Sequence, residues 1–345
     1  MIPEALSALA AGIVRRRRAW YARPGQRRTL DRPVISVGNL AVGGRGKSPV
    51  TAWLVARLLA DGEVPAVLSR GYKRSDRTEG VLVVRDPAGL RADVSRAGDE
   101  PLMLARRLAG AAVVVGEDRY LAGRLAECRF GCTVHVLDDG LQHLGLARDI
   151  ELVLATEDDL HEGRLVPAGR LREPVETARL ADALLLAGGT AAAARREADR
   201  FGIDQAFAVT RRLGPPRRVE PCAAPLERSA RVLAVAGIAE PRRFFDDLTS
   251  AGWNIAETMV FGDHHAFQAR DVREMRERAR LASADVVFTT EKDLMRLLPR
   301  RPLPFPCAWV PLDVAVEPAA GAGAWLRARL AAVRAGRGRR RGGRT

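Results

Sequence analysis

No apolar run in this chain approaches the ~20 residues needed to cross a bilayer, which excludes an integral transmembrane helix. Cysteine is scarce, with four (Cys128, Cys132, Cys222, Cys307) in 345 residues, so a disulfide scaffold is excluded. Cys128 and Cys132 are four apart and can share a helix face, but no second cysteine or histidine pair completes a zinc set. Reduced core thiols are expected. Lysine is the rarest charged residue: only Lys47, Lys73 and Lys292 among 56 basic residues. Where arginine serves almost everywhere, a retained lysine marks a position that needs a compact ammonium instead of a planar fork. Internal repeats are absent too, and the Gly/Arg tail from 336 is the only low-complexity segment.

What is present is enough for a sizeable core. Hydrophobic residues make up 47% and charged residues 28%, which excludes a disordered chain, and the length suggests two domains. The net charge of +14 is concentrated: residues 15–32 carry +7 and residues 327–345 carry +8, leaving the rest near −1. Two terminal patches on a neutral body suggest contact with an anionic surface, membrane or nucleic acid, over a basic binding groove.

Residues 2–14 place Ile2, Leu6, Leu9 and Ile13 on one helix face, and Arg15–Arg18, Trp20 and Tyr21 follow directly. The charges follow the apolar stretch, the reverse of a secretory signal. Apolar face, arginines and interfacial aromatics together describe a helix lying in the headgroup layer. A packing helix with a solvated basic cluster is the competing reading.

The body alternates short, almost wholly apolar strands (34–37, 65–68, 80–84, 111–115, 133–137, 150–155, 182–187) with helical stretches such as 51–60, 101–109 and 119–127. That pattern predicts a parallel sheet covered on both faces. A Pro- and Arg-rich stretch after residue 213 reads as a linker. A second, smaller α/β unit follows, with strands near 231–236, 285–289 and 307–312.

The strand 34–37 runs into GNLAVGGRGKSP, residues 38–49, and then a helical pattern. Strand, Gly-rich loop and helix start are the context of a phosphate-binding loop. Amides around Gly43, Gly44, Arg45 and Gly46 would curl around phosphate oxygens, with Lys47 bridging them, Ser48 reaching Mg²⁺ and Pro49 in the first helical turn. Ala41 stands where the usual motif has its first glycine. The strand 133–137 delivers Asp138 and Asp139 to the C-terminal sheet edge, where ligands of open α/β sheets bind and where a second Mg²⁺ anchor is wanted. Gln142 and His143 follow on the same loop; His143 alone would more often pack. Asp99 opens a helix, where an N-cap role is the plain alternative. Asp263-His264-His265 and Thr290-Glu291-Lys292-Asp293 complete the polar clusters, and the histidines suit base or orienting roles better than zinc.

In this order the motifs resemble the tetraacyldisaccharide 4'-kinase (lipid A 4'-kinase) family: GNLAVGGRGKSP, LSRGYKR (68–74), AGDEP (97–101), GEDR (116–119), DDGLQH (138–143), VPAGRLREP (166–174), AGIAEPRRFF (236–245), GDHHAF (262–267) and TEKD (290–293). The resemblance covers roughly residues 5–300. It departs at Arg45, Ser48, Lys73, Arg170 and Gly262, and none of these removes a reacting group. The family's loop also lacks the first glycine, which accounts for Ala41.

The resemblance implies transfer of the γ-phosphoryl of ATP, with Mg²⁺, to the 4'-hydroxyl of a tetraacylated glucosamine disaccharide 1-phosphate, giving lipid IVA. It implies a peripheral protein on the cytoplasmic face of the inner membrane, with no obligate protein partner and no specific nucleic acid. Expected organisation is α/β: an N-terminal amphipathic helix (1–22), a P-loop kinase domain (23–213), a linker (214–230), a smaller α/β domain (231–333) and a disordered basic tail (334–345). Lys47 and the 43–48 amides are expected on the ATP phosphates, and Ser48, Asp138 and Asp139 on Mg²⁺. Asp99 is the expected base, and the resemblance pairs it with His264. Arg70, Arg119 and Arg172 are expected as phosphate clamps, Glu173 as the group orienting one of them or the substrate, and Gln142 and His143 near the substrate. A membrane-associated ATPase or GTPase switch and a nucleic-acid-associated protein are the alternatives from other classes.

Overall fold

The computed structural model describes residues 2–44, 46–71, 74, 80–219 and 226–342. Arg45, Lys73 and Cys222, singled out above, lie outside the described residues. The large sheet contains β1 (Val34–Asn39), β2 (Pro65–Ser69), β3 (Val81–Asp86), β4 (Gly89–Leu90), β5 (Ala112–Gly116), β6 (Val134–Asp138), β7 (Ile150–Ala155), β8 (Ala183–Ala187) and β9 (Ala206–Leu213). The small sheet contains β10 (Arg217–Arg218), β11 (Arg231–Ala236), β12 (Asn254–Val260), β13 (Val286–Thr290) and β14 (Cys307–Val310). A last strand, β15 (Leu312–Glu317), returns to the large sheet.

The large sheet runs β15-β9-β8-β7-β1-β6-β2-β5-β3-β4. From β9 to β5 every pairing is parallel, and β1, β2, β5, β6 and β7 are buried along their whole length. Burial on both faces is why these strands read as unbroken apolar runs. The edges depart from the all-parallel expectation: β3 runs antiparallel to β5 and turns back into β4, and β15 runs antiparallel to β9. Buried residues alternate with partly exposed ones along the first four residues of β3, as an edge strand allows.

Helices cover both faces: α1 (Ile2–Tyr21), α2 (Lys47–Ala60), α3 (Val94–Ala97), α4 (Asp99–Arg107), α5 (Arg119–Phe130), α6 (Glu157–His161) and α7 (Ala191–Phe201) on the large unit. On the small unit they are α8 (Pro241–Ser250), α9 (Ala269–Leu281) and α10 (Glu291–Leu297), and α11 (Ala319–Gly342) ends the described chain. Local chemistry sets their ends; the Asp118 side chain accepts from the amides of Tyr120 and Leu121 to start α5, and Gly131 in the left-handed region stops it.

Two expectations about domain limits are corrected. The smaller unit does not extend to 333; β15 pairs with β9, so the small sheet is an insertion within the large one. Arg217 and Arg218, placed in the linker, form β10 against β14. The basic tail from 334 is helical to Gly342, and the reason is electrostatic. Arg327, Arg329, Arg334 and Arg337 of α11 pair with Asp61, Asp182, Glu63 and Asp149 respectively, all on the large unit. Trp325 meets Phe207 at 5.9 Å between ring centroids, and Leu326 and Leu330 join the main core. Half of the C-terminal basic patch is therefore spent on internal contacts.

At the other end of the chain, α1 turns Ser7 and Ala11 inward, the Ser7 hydroxyl donating to the Leu165 carbonyl at 2.8 Å. Leu6, Leu9 and Ile13 face out, 48%, 61% and 60% exposed. Among the described residues no helix is long and apolar enough to cross a membrane. Cys132 and Cys307 are buried and Cys128 is exposed, none of them in a disulfide, and burial pushes the Cys132 thiol up to about 12.

Candidate active site

The loop after β1 is braced before it turns. The Val42 amide donates to Arg170 O at 2.8 Å and the Arg172 amide to Leu40 O at 2.6 Å, so residues 40–42 pair with the 170–172 segment. Gly43 (φ 104°) and Gly46 (φ 85°) then take left-handed conformations that side chains resist, and Lys47 opens α2. Gly38 is required for a different reason: a Cβ there would lie 2.4 Å from Leu141 Cβ. Ser48 and Pro49 occupy the first turn of α2, whose free amides and dipole face the loop. Lys47 Nζ lies 3.1 Å from Asn39 Oδ1 and 3.7 Å from Asp139 Oδ1.

Asp138 ends β6 beside β1 and accepts from the Thr51 hydroxyl at 3.0 Å. Burial, then Glu100 and Asp139, push its pKa up to about 7. Lys47 offsets this only in part, so a cation bound at Asp138 would relieve the crowding. Among the described residues no three acids or histidines close on one point, so a cation here would take its remaining ligands from phosphate and water, as Mg²⁺ does. The donor set fits. Asp139, at φ 53°, is held below the ordinary carboxylate range despite its burial: Arg172 hydrogen-bonds it at 2.8 and 3.1 Å, and Lys47 adds its charge. Arg172 also grips Asn39 Oδ1, while Gln142 Nε2 donates to Asn39 O at 3.1 Å.

Arg119 lies buried at the start of α5. Burial first, and Arg70 second, bring its pKa down to about 10 against the pull of Asp138 and Asp139. Arg70 is exposed after β2. His143 is pushed down to about 4 by burial and by Arg119 and Arg148, so it is neutral at physiological pH. Glu173 orients none of the three expected arginines. Its partner is Arg18 of α1 at 2.7 Å, and Arg18 also donates to Leu141 O at 3.2 Å. That ties α1 to the loop carrying Asp138 and Asp139.

The second half of the site crosses from one unit to the other. Gly98, not Asp99, caps α4, and Asp99 is its first helical residue, 5% exposed. Asp99 Oδ1 accepts the Glu100 amide at 2.9 Å, and Oδ2 meets His264 Nδ1 at 2.9 Å and Arg296 Nε at 3.3 Å. His264 reaches it from a left-handed backbone (φ 62°). Burial alone would raise the Asp99 pKa, but the His264 hydrogen bond and the charges of Lys292 and Arg296 outweigh it and leave it lowered. Lys292 Nζ stands 3.3 Å from His264 Nε2 and 3.0 Å from Glu100 Oε1. An ammonium only donates, so this network assigns the ring hydrogen to Nδ1. His265 instead pairs at 2.8 Å with Asp271, which closes the cap of α9.

Asn39, Thr51, Glu100 and Arg296 carry contacts here that sequence reading did not single out. Asn39 had one signal, its place at the end of the strand feeding the loop, and Glu100 another, its place in the AGDEP block; Thr51 and Arg296 had none. Lys292 had been flagged by the rarity of lysine and by its place in the Thr290–Asp293 cluster, without a role. The expected site residues Lys47, Asp138, Asp139 and Arg172 come together directly, and the Asp99–His264 pair stands on the far side of Glu100, whose charge Asp138 feels.

A glycine loop that opens α2 at Lys47, with Asp138 and Asp139 at the end of the neighbouring parallel strand, is the arrangement of a P-loop phosphotransferase. The comparisons narrow that class. A family model described as tetraacyldisaccharide-1-P 4'-kinase matches residues 2–331. The tetraacyldisaccharide 4'-kinase of Geobacter sulfurreducens is 43% identical over 310 residues, spanning 86% of this chain and 85% of that one. The Koribacter versatilis protein of the same description is 40% identical over 300 residues, 85% and 87% of the two chains. The crystal structure of Aquifex aeolicus LpxK in complex with ATP superimposes with a TM-score of 0.76 at 30% identity, covering 94% of this chain and 98% of that one. The chain belongs to the tetraacyldisaccharide 4'-kinase family.

Proposed function

We propose that the protein transfers the γ-phosphoryl group of ATP to the 4'-hydroxyl of tetraacyldisaccharide 1-phosphate, a step of lipid A biosynthesis that yields lipid IVA. The observation that carries this reading is the Asp99–His264 contact, whose neighbour Glu100 is near enough to raise the pKa of Asp138. Lys47 and the loop amides hold the phosphates, and Arg172 exchanges its hold on Asp139 for phosphate oxygen. Ser48, Asp138 and Asp139 would hold Mg²⁺, which when bound neutralises charge on the β- and γ-phosphates.

The acceptor hydroxyl gives its proton to the Asp99–His264 pair. The lone pair of His264 Nε2 already faces the Lys292 ammonium, whereas Asp99 Oδ1 has only the Glu100 amide, which favours Oδ1 as the atom that meets the hydroxyl proton and His264 as the group that orients the carboxylate. Arg70 and Arg119 are the remaining clamps for the lipid's 1-phosphate, with Gln142 and His143 lining the approach.

Leu6, Leu9 and Ile13, exposed beside Arg15–Arg17, support a peripheral seat on an anionic leaflet, the cytoplasmic face of the inner membrane. The deciding experiment is incubation with γ-labelled ATP and tetraacyldisaccharide 1-phosphate in detergent, with a doubly phosphorylated lipid expected. Phosphate released equally with and without lipid, and no labelled lipid, would reject the kinase in favour of an ATPase switch.

A further inference from the structure

Of the block Thr290–Asp293, three residues are accounted for by partners other than the Asp99–His264 pair. The Thr290 hydroxyl accepts the Asp293 amide at 3.0 Å as the cap of α10. Asp293 takes the Gly237 amide at 3.0 Å and Arg296 at 2.6 Å, and Glu291 pairs with Arg107 at 3.3 Å. Lys292 is left with contacts that leave its own helix: Glu100 at 3.0 Å, His264 Nε2 at 3.3 Å and Asp263 at 3.7 Å. Asp99 and Glu100 are consecutive on α4, so neighbouring carboxylates of the large unit each grip one residue of the small unit, His264 and Lys292.

We infer that Lys292 is a positioning residue for phosphoryl transfer: its ammonium holds His264 with the hydrogen on Nδ1 and keeps the Asp99–His264 pair free of an extra proton. The inference rests on the kinase reading above. The charges facing the pair are Asp99 and Glu100 from α4, Asp263 from the histidine's own loop, and Lys292 and Arg296 from α10. Three carboxylates meet two cations. Arg296 is tied to Asp293, Gly237 O and His265 O and has no freedom to compensate. Without Lys292 the surplus negative charge favours the imidazolium, and the acceptor is lost at neutral pH. A compact ammonium fits a point shared by a carboxylate oxygen and a ring nitrogen, which a planar guanidinium does not.

The test is the pH profile of kcat/KM for the full-length Lys292→Met, Lys292→Gln and Lys292→Arg variants, with γ-labelled ATP and tetraacyldisaccharide 1-phosphate in detergent. K292M is expected to lose roughly 10–100-fold in kcat with KM for ATP within about threefold. Its acid limb should move up by about one pH unit, because removing a cation favours the protonated pair. K292Q, neutral but still polar at the seam, carries the same expectation should K292M not fold. K292R should keep the acid limb in place at reduced kcat. A folded K292M or K292Q whose acid limb coincides with that of an active wild type overturns the proposal alone. Absence of lipid product from the wild type overturns the kinase reading, and this proposal with it.

Discussion

His264 Nδ1 lies 2.9 Å from Asp99 Oδ2, across 165 residues of chain and across the seam between a parallel sheet and the unit inserted into it. The contact exists only when α4 and the 262–265 loop are brought together, so the small unit is part of the proposed chemistry and not an appendage. Arg296 and Lys292 reinforce the same seam from α10. In the proposed mechanism the nucleotide is held by the large unit, and proton transfer needs both.

That division yields the first expected outcome. Asp99→Ala should lower kcat by roughly 10²–10⁴ while ATP binding survives, and His264→Ala should do the same. Because the two act as one unit, the double variant should cost little more than either single one. Steady-state kinetics of the three variants checks this; losses that multiply would show independent roles.

Lys47→Ala should leave almost no activity, since no other described lysine stands near the loop and Arg172 is itself held on Asp139. An isothermal titration with ATP would show weakened binding in the same variant. Normal ATP affinity together with measurable lipid product would remove Lys47 from the phosphate site.

Gly38→Ala places a methyl group 2.4 Å from Leu141 Cβ and 2.7 Å from the Leu141 amide nitrogen. The Asp138–His143 loop must shift to admit it, at an overpacking cost of about 1–3 kcal/mol. Lower melting temperature and lower kcat are expected together. An unchanged melting curve would show that the loop yields freely.

The C-terminal helix makes a prediction with a pH sign. The Arg334 hydrogen bond holds the Glu63 carboxyl below the usual carboxylate range. A depressed folded-state pKa gives stability that is present above the unfolded value near 4.3 and lost as pH falls through the folded value. Arg334→Ala should therefore lower the melting temperature at pH 7, by the small amount of a half-exposed pair, roughly 0.5–1 kcal/mol. The gap to wild type should close below about pH 4. A constant gap across that range would show that Arg334 acts through packing.

Much of this molecule is readable from local sequence. Wholly apolar strands specify a covered parallel sheet, and the glycines, Lys47 and the Asp138–Asp139 pair follow from what a phosphate loop requires within a few dozen residues. The family resemblance then carries the acceptor. Three things depended on distant pairing. Residues 312–317 read equally well as a strand of either sheet, and only the partner β9 decides between them. The arginines of 327–337 read as a free basic tail because their carboxylates, Asp61, Glu63, Asp149 and Asp182, are scattered through the chain. Glu173 finds Arg18, and Lys292 finds Glu100 and His264, for the same reason. A charge declares its type in the sequence, but its partner is whichever opposite charge the packed elements bring within reach.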